Sequence, residues 1–242
     1  LLQGRLGPKG PVVLVTLPCP VLAVRARLEA GQAFSLGRAS APIMTEARAR
    51  AFLTELNLSI QGRIDFEAEM PPGGGAGVST AALVGLARLA GWNGDDMTLA
   101  RACIAVEGAS DQLMLRQQAQ TLWSSRLGEI IRTLPALPAM EVIGGFFGPP
   151  RRTDPLDDDF PDIADLIPLW QIATEARDLG QVAALASASA TRTLAHRGAQ
   201  LDPTASLAAD LGALGYVIAH TGSARGLIFA PGQVPDDAKD VL

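Results

Sequence analysis

The chain has 242 residues, 48% of them hydrophobic, which is enough for a substantial core in one domain or two and unlike a disordered partner-binding chain. A net charge of −5 argues against a nucleic-acid surface as the main business. No run approaches the roughly 18 apolar residues that span a bilayer and no signal peptide is visible, so a cytoplasmic protein with neither nucleic-acid nor membrane partner is expected.

The minority residues narrow the chemistry. Lysine occurs only at Lys9, in a Gly-Pro-Lys-Gly turn, and at Lys239, in an acidic tail beside Asp236, Asp237 and Asp240. Neither suits a Walker phosphate lysine, a protein-kinase strand lysine or a Schiff base. Cys19 and Cys103 stand in apolar settings and are expected as reduced core thiols. With two histidines besides, a His/Cys metal site has little support. Carboxylates, backbone amides, hydroxyls and a magnesium ion remain.

The sequence starts without methionine and in mid-element, so residues upstream of Leu1 are expected. Val12–Leu17 reads as a strand, and Val21–Leu28 as a second, half-buried one. Residues Thr45–Leu56 form a helix by pattern, with Thr45 as N-cap and Ala49, Phe52, Leu53 and Leu56 on one face. Arg63–Ala68 alternates Ile64, Phe66 and Ala68 with charged residues, which predicts a strand with one dry face. It feeds into Pro72-Gly-Gly-Gly-Ala-Gly-Val-Ser-Thr80, after which Leu83, Leu86, Ala87 and Ala90 recur at helical spacing. Strand, glycine loop, helix is the order a phosphate site needs, because the loop's amides and the helix dipole both favour an anion. The bland alternative is a glycine loop capping a core helix. Val78 stands where a Walker loop has lysine, and G-x-G-x-x-G lacks its third glycine.

Helices are expected over about Asp95–Val106 and Asp111–Leu134, the latter giving Arg126 and Arg132 a solvated face. Pro135 and Pro138 place a domain boundary near residue 135. Met140–Phe147 reads as a strand. Gly148–Asp162, rich in proline and aspartate, is a solvated loop or a lid whose Arg151 and Arg152 reach phosphate or substrate. Helices follow over about Ile163–Leu179, Gln181–Arg197 and Pro203–Leu214. Gly215–Ala219 and Leu227–Ala230 are strands around a second small-residue loop, His220-Thr-Gly-Ser-Ala-Arg-Gly226, and the tail from Pro231 is expected to be loosely held. Trp92, Trp123 and Trp170 are assigned to packing, and His196 to no function.

Four segments resemble the GHMP kinases, and among them the L-threonine kinases of cobalamin side-chain synthesis and the propanediol-utilisation kinase-like proteins. Gln3-Gly4 resembles the end of an N-terminal Gly-Glu-x-x-Gln-Gly element. Pro72–Leu83 is similar to the Gly-x-x-Ser-Ser-Thr-Ala-Asp loop, with Val78 and Ala82 in place of a serine and the aspartate. Val106–Asp111 resembles Glu-Pro-Thr-Asp with one residue added, and Gly215–Phe229 resembles the closing Ala-His-Ser-Gly-[Ser/Thr]-x-x-Gly-Leu motif.

The resemblance implies an α+β chain with the GHMP kinase fold. Residues 1–135 would be a ribosomal protein S5 domain 2-like domain and 136–242 a ferredoxin-like one; composition alone gives only two layers of α and β. It implies a kinase moving the ATP γ-phosphate to an alcohol, L-threonine before other small hydroxylated metabolites, with a non-catalytic nucleotide or metabolite sensor as the rival reading. ATP would lie on Pro72, Gly73, Gly74, Gly75, Ala76, Gly77, Val78, Ser79 and Thr80, and Mg²⁺ on Ser79 and Glu107. Asp111 would be the catalytic base or orienter; its residue-level alternative is an N-cap, as it is for Ser79 and Thr80. Gln3, His220, Thr221, Gly222 and Ser223 would meet the substrate, with His220 otherwise a structural hydrogen-bonder. Oligomeric state is open, a homodimer included.

Overall fold

The computed structural model describes residues 1–198 and 201–238, so Lys239 of the acidic tail lies outside the described residues. The chain runs through β1 (Leu2–Arg5), β2 (Val12–Val15), β3 (Val24–Glu29), β4 (Ser35–Leu36), α1 (Glu46–Glu55), β5 (Arg63–Ala68), α2 (Val78–Leu89) and α3 (Asp96–Glu107). It continues with β6 (Thr121–Ser124), β7 (Glu129–Thr133), β8 (Glu141–Phe146), α4 (Leu166–Glu175), α5 (Leu179–Arg197), α6 (Thr204–Asp210), β9 (Gly215–Ile218) and β10 (Ala224–Phe229).

Three sheets result, in the orders β1-β2-β6-β7, β3-β5-β4 and β8-β10-β9. All pairings are antiparallel except that of β4 with β5. The first sheet lies between two cores, and the period-2 alternation of its strands shows how. On β2, Leu14 enters a core built by α1, α2, α3 and β5, with Phe52, Ile64, Leu83 and Leu86 at its centre. Val13 and Val15 point the other way, toward Trp170 of α4, Val182 and Ala186 of α5 and Ile228 of β10. On β6, Trp123 and Leu122 divide in the same manner. Both faces of β2 and β6 are dry, so neither strand has a polar side.

Local signals explain several helix ends. The Thr45 hydroxyl accepts the Arg48 N–H at the start of α1, and the Asp95 and Asp178 carboxylates do the same for α3 and α5. Gly108 ends α3 at φ 73°, where a side chain would be strained.

The helix expected over Asp111–Leu134 is not there. Turns and one 3-10 turn lead instead into the β6–β7 hairpin, reversed at Gly128 with φ 66°. Burial decides it. Trp123 is fully buried and donates its indole N–H to the Ser110 carbonyl at 2.7 Å, while the Gln112 amide holds the Gln118 and Thr121 carbonyls. A helix would have scattered these groups around its circumference. Arg126 and Arg132 therefore sit on no helix face: Arg126 binds backbone carbonyls across the chain, and Arg132 on β7 reaches Gln171 of α4. Cys103 is buried as expected, and burial pushes its thiol up to about 12, but Cys19 is exposed. The tail is held as far as it is described: Ala238 is buried and the Gly232 N–H donates to Glu141.

Candidate active site

The glycine loop joins β5 to α2 at the mouth of a cleft of about 470 Å³. Gly73, Gly75 and Gly77 all take left-handed φ, from 74° to 81°, and the last is the N-cap of α2. Ser79 and Thr80 are therefore not N-caps. The backbone N–H groups of Gly75, Ala76, Gly77, Val78, Ser79 and Thr80 have no hydrogen-bond partner among the described residues. Six consecutive free donors at a helix start make a strong anion cradle. Val78 gives up nothing there, since its side chain is buried and only its N–H is wanted.

The loop is braced from behind by the second small-residue loop. Ser223 and Ala224 donate their N–H groups to the Gly74 carbonyl at 2.9 and 2.8 Å, and Arg151 donates to that of Gly73 at 2.7 Å. Contact is so close that a Cβ on Gly75 would stand 1.9 Å from the Thr221 carbonyl oxygen, and one on Gly222 (φ 95°) 2.5 Å from the Gly74 carbonyl carbon. The brace is itself held by Arg225, which donates to the Gly222 and Ala224 carbonyls and pairs at 2.9 Å with half-buried Asp202.

Helix α2 turns its first-turn hydroxyls toward the end of α3. Ser79 Oγ donates to Glu107 Oε1, and Arg48 Nη1 from α1 reaches the same oxygen at 3.2 Å. Thr80 Oγ1 accepts the Asp111 N–H at 3.3 Å. Asp111 opens no helix, so its N-cap alternative falls; its carboxylate stands near Gly77 on the cleft floor. Burial and then the nearby Glu107 charge push the Asp111 carboxyl up to about 6. Burial also raises Glu107, against the Ser79 hydrogen bond and the Arg48 charge. A carboxyl tuned toward neutrality beside an anion cradle suits a group that must take a proton from an alcohol.

The far wall is the segment 148–162. It is neither a free loop nor an open lid but a strap tied along its length. The Arg152 guanidinium donates to the Pro42 carbonyl, and the Thr153 and Thr221 hydroxyls share a hydrogen bond of 2.7 Å. Arg126 holds the Asp157 carbonyl, Arg197 the Asp157 carboxylate, Arg5 Asp158, and His196 Asp159. Pro155 rests on Gly108, where a Cβ would meet its ring at 2.2 Å. Phe160 stacks on His220 at 4.1 Å between ring centroids, with Arg197 and Arg126 over the phenyl ring.

His220 lines the cleft, but both ring nitrogens are buried with no hydrogen-bond partner among the described residues. Burial, then Arg126 and Arg197, lower it to about 3, so it is neutral and is not the structural hydrogen-bonder expected. Thr221 reaches the cleft, whereas Gly222 and Ser223 stand behind the glycine loop as its brace. Gln3 is elsewhere: buried on β1, it bonds Ser189 and Thr193 of α5. The residues that sequence reasoning passed over are Arg48, Asp202 and Arg225.

Ser79 and Glu107 make a hard-oxygen pair that fits magnesium, which binds few protein ligands and keeps waters and phosphate oxygens. Among the described residues no group of three or more His, Cys, Asp and Glu could hold a metal.

No family model matches the sequence, and neither does any curated protein. The fold has solved counterparts. A phosphomevalonate kinase from Streptococcus pneumoniae matches with a TM-score of 0.66 at 12% identity, over 99% of this chain and 92% of its own. A homoserine kinase from Cytophaga hutchinsonii gives 0.58 at 16%, over 99% and 86%. A Lactococcus lactis galactokinase complexed with galactose gives 0.60 at 13%, over 99% and 86%. The chain is α+β with the fold of the GHMP small-molecule kinases.

Proposed function

We propose that the protein is an ATP-dependent kinase that phosphorylates the hydroxyl of a small metabolite, with L-threonine as the first acceptor to try. The observation that carries this reading is the run of six unpaired N–H groups from Gly75 to Thr80, opening onto a cleft whose floor holds Asp111. Phosphoryl transfer asks a protein mainly for positioning and charge neutralisation. The glycine-loop amides receive the β and γ phosphates, Asp111 accepts the acceptor's proton, and the strap with Thr153 and Pro155 walls off water. Ser79 and Glu107 would hold Mg²⁺, which supplies charge neutralisation on the phosphates. His220, whose ring nitrogens are buried without a partner among the described residues, is assigned with Thr221 to the end of the cleft that takes the acceptor's polar group. A division near residue 135, with the glycine loop in the first part and its brace in the second, belongs to the same proposal.

One observation favours an acceptor other than threonine. Ala82 is fully buried in the first core, where the threonine-kinase loop has an aspartate. The test is ADP release with Mg-ATP and L-threonine, with L-serine, L-homoserine and (R)-1-amino-2-propanol in parallel. Release that requires one of these alcohols and is lost in Asp111→Asn supports the kinase. Nucleotide binding with no release for any acceptor refutes it in favour of a sensor.

A further inference from the structure

A polyphosphate brings several negative charges, and a cradle of backbone amides offsets only part of them. No lysine lines the cleft among the described residues. Its cations are three arginines from separate places: Arg48 on α1, and Arg151 and Arg152 on the strap. Arg152 gives one N–H to the Pro42 carbonyl at 2.8 Å, and both it and Arg151 are exposed on the strap, where solvent screens their charge. Arg48 is differently placed. It shares Glu107 Oε1 with the Ser79 hydroxyl, which puts the guanidinium within two hydrogen bonds of the first turn of α2.

That contact looks incomplete for a purely structural ion pair. Arginine has five N–H donors and pairs best in a two-bond fork, yet Arg48 spends one on Glu107, and its other donors have no partner among the described residues. The oxygen it holds is also the one beside Ser79, the position a hard cation would claim. Oε1 already accepts from both Ser79 and Arg48, which fills its two lone pairs, so a cation that claims this oxygen together with Ser79 competes directly with Arg48.

We propose that Arg48 is the phosphate-neutralising residue of this cleft. It rests on Glu107 when no anion is bound and passes to the polyphosphate oxygens when Glu107 is engaged by a divalent cation. The assignment rests on the kinase reading and gives it the positive charge that lysine supplies in other phosphate loops.

Calorimetric titration with inorganic tripolyphosphate, with and without Mg²⁺, tests this without any turnover. Arg48→Met should weaken binding in Mg²⁺ by about tenfold or more, and Arg48→Lys should restore much of it. Glu107→Gln should tighten metal-free binding by freeing the guanidinium, and adding Arg48→Met should erase that gain. Arg48→Gln replaces Arg48→Met if the latter fails to fold by circular dichroism. Binding by a folded Arg48 variant within about twofold of wild type, or a Glu107→Gln variant with unchanged metal-free affinity, overturns the role of Arg48 alone. A wild-type chain that binds no tripolyphosphate brings down the kinase reading as well.

Discussion

Gly75 and Gly91 have nearly the same positive φ and differ in what surrounds them, which makes them a useful pair. Their φ values are 81° and 84°, and each would be strained by a side chain. That strain is about 1–2 kcal/mol, and the loss of unfolded-state freedom on Gly→Ala offsets about 0.4–1 kcal/mol of it at either site. A Cβ on Gly91 meets nothing within 4 Å, so Gly91→Ala should cost about 0–1.6 kcal/mol net. At Gly75 the new Cβ would stand 1.9 Å from the Thr221 carbonyl oxygen and 2.4 Å from the Ala219 Cβ. An ordinary C···O contact is about 3.3 Å, and no rotamer can relieve a clash with backbone. The loops must part and give up the Ser223 and Ala224 hydrogen bonds to Gly74, each contributing about 1 kcal/mol. Gly75→Ala should therefore be destabilised by about 2–3 kcal/mol more than Gly91→Ala and should lose nucleotide affinity that Gly91→Ala keeps. Urea unfolding gives the first quantity and titration with a fluorescent ATP analogue the second. Stabilities within about 0.5 kcal/mol of each other would mean that the two loops do not press together as described.

Asp111→Asn should abolish turnover yet raise stability at neutral pH. The carboxyl sits near 6 when folded against an ordinary value of 3.8. The native state thus holds more protons between those pH values, and its stability falls as pH rises through them. Unfolding curves at pH 4 and pH 7 should show that fall in wild type and a smaller one in Asp111→Asn, and the rate should show an acid limb near pH 6. Arg225→Met leaves the half-buried Asp202 carboxylate with only its Thr204 bonds and should cost about 1–3 kcal/mol; measured by urea unfolding, a loss below about 0.5 kcal/mol would show that the pair contributes little. His220→Phe removes two unpaired ring nitrogens and should leave stability unchanged or higher while raising the KM for the acceptor. Because His220 is lowered to about 3 from 6.5, wild type loses stability as pH falls below 6.5, and the variant should lose less over the same range in acid-unfolding scans.

The run from β5 through the glycine loop to α2 was legible because its periodicity changes from 2 to 3.6 across a cluster of glycines. The Thr45 cap was equally plain. The hairpin β6–β7 was not, because Gln117-Gln118-Ala119-Gln120 favours a helix locally and only the burial of Trp123 overrides it. Ser79, Glu107 and Asp111 were singled out by motif and line the cleft, although the same resemblance assigned Gln3 to the substrate and the fold buries it on β1. Arg48 lies 59 positions before Glu107 and Asp202 lies 23 before Arg225, and neither pair leaves a local mark. Such residues acquire their roles from the tertiary fold, where sequence spacing carries no information about them.

The brace on Gly74 has a consequence for the chain while it is being made. The residues that support the glycine loop, Gly222 to Ala224, are made long after it, since Gly222 follows Gly74 by 148 positions. A nascent or prematurely terminated chain can form β5 and α2 and still present a glycine loop with nothing behind it. A nucleotide that binds the loop as proposed would stabilise by mass action a chain that has completed the brace and would leave one that stops short of it exposed to proteolysis.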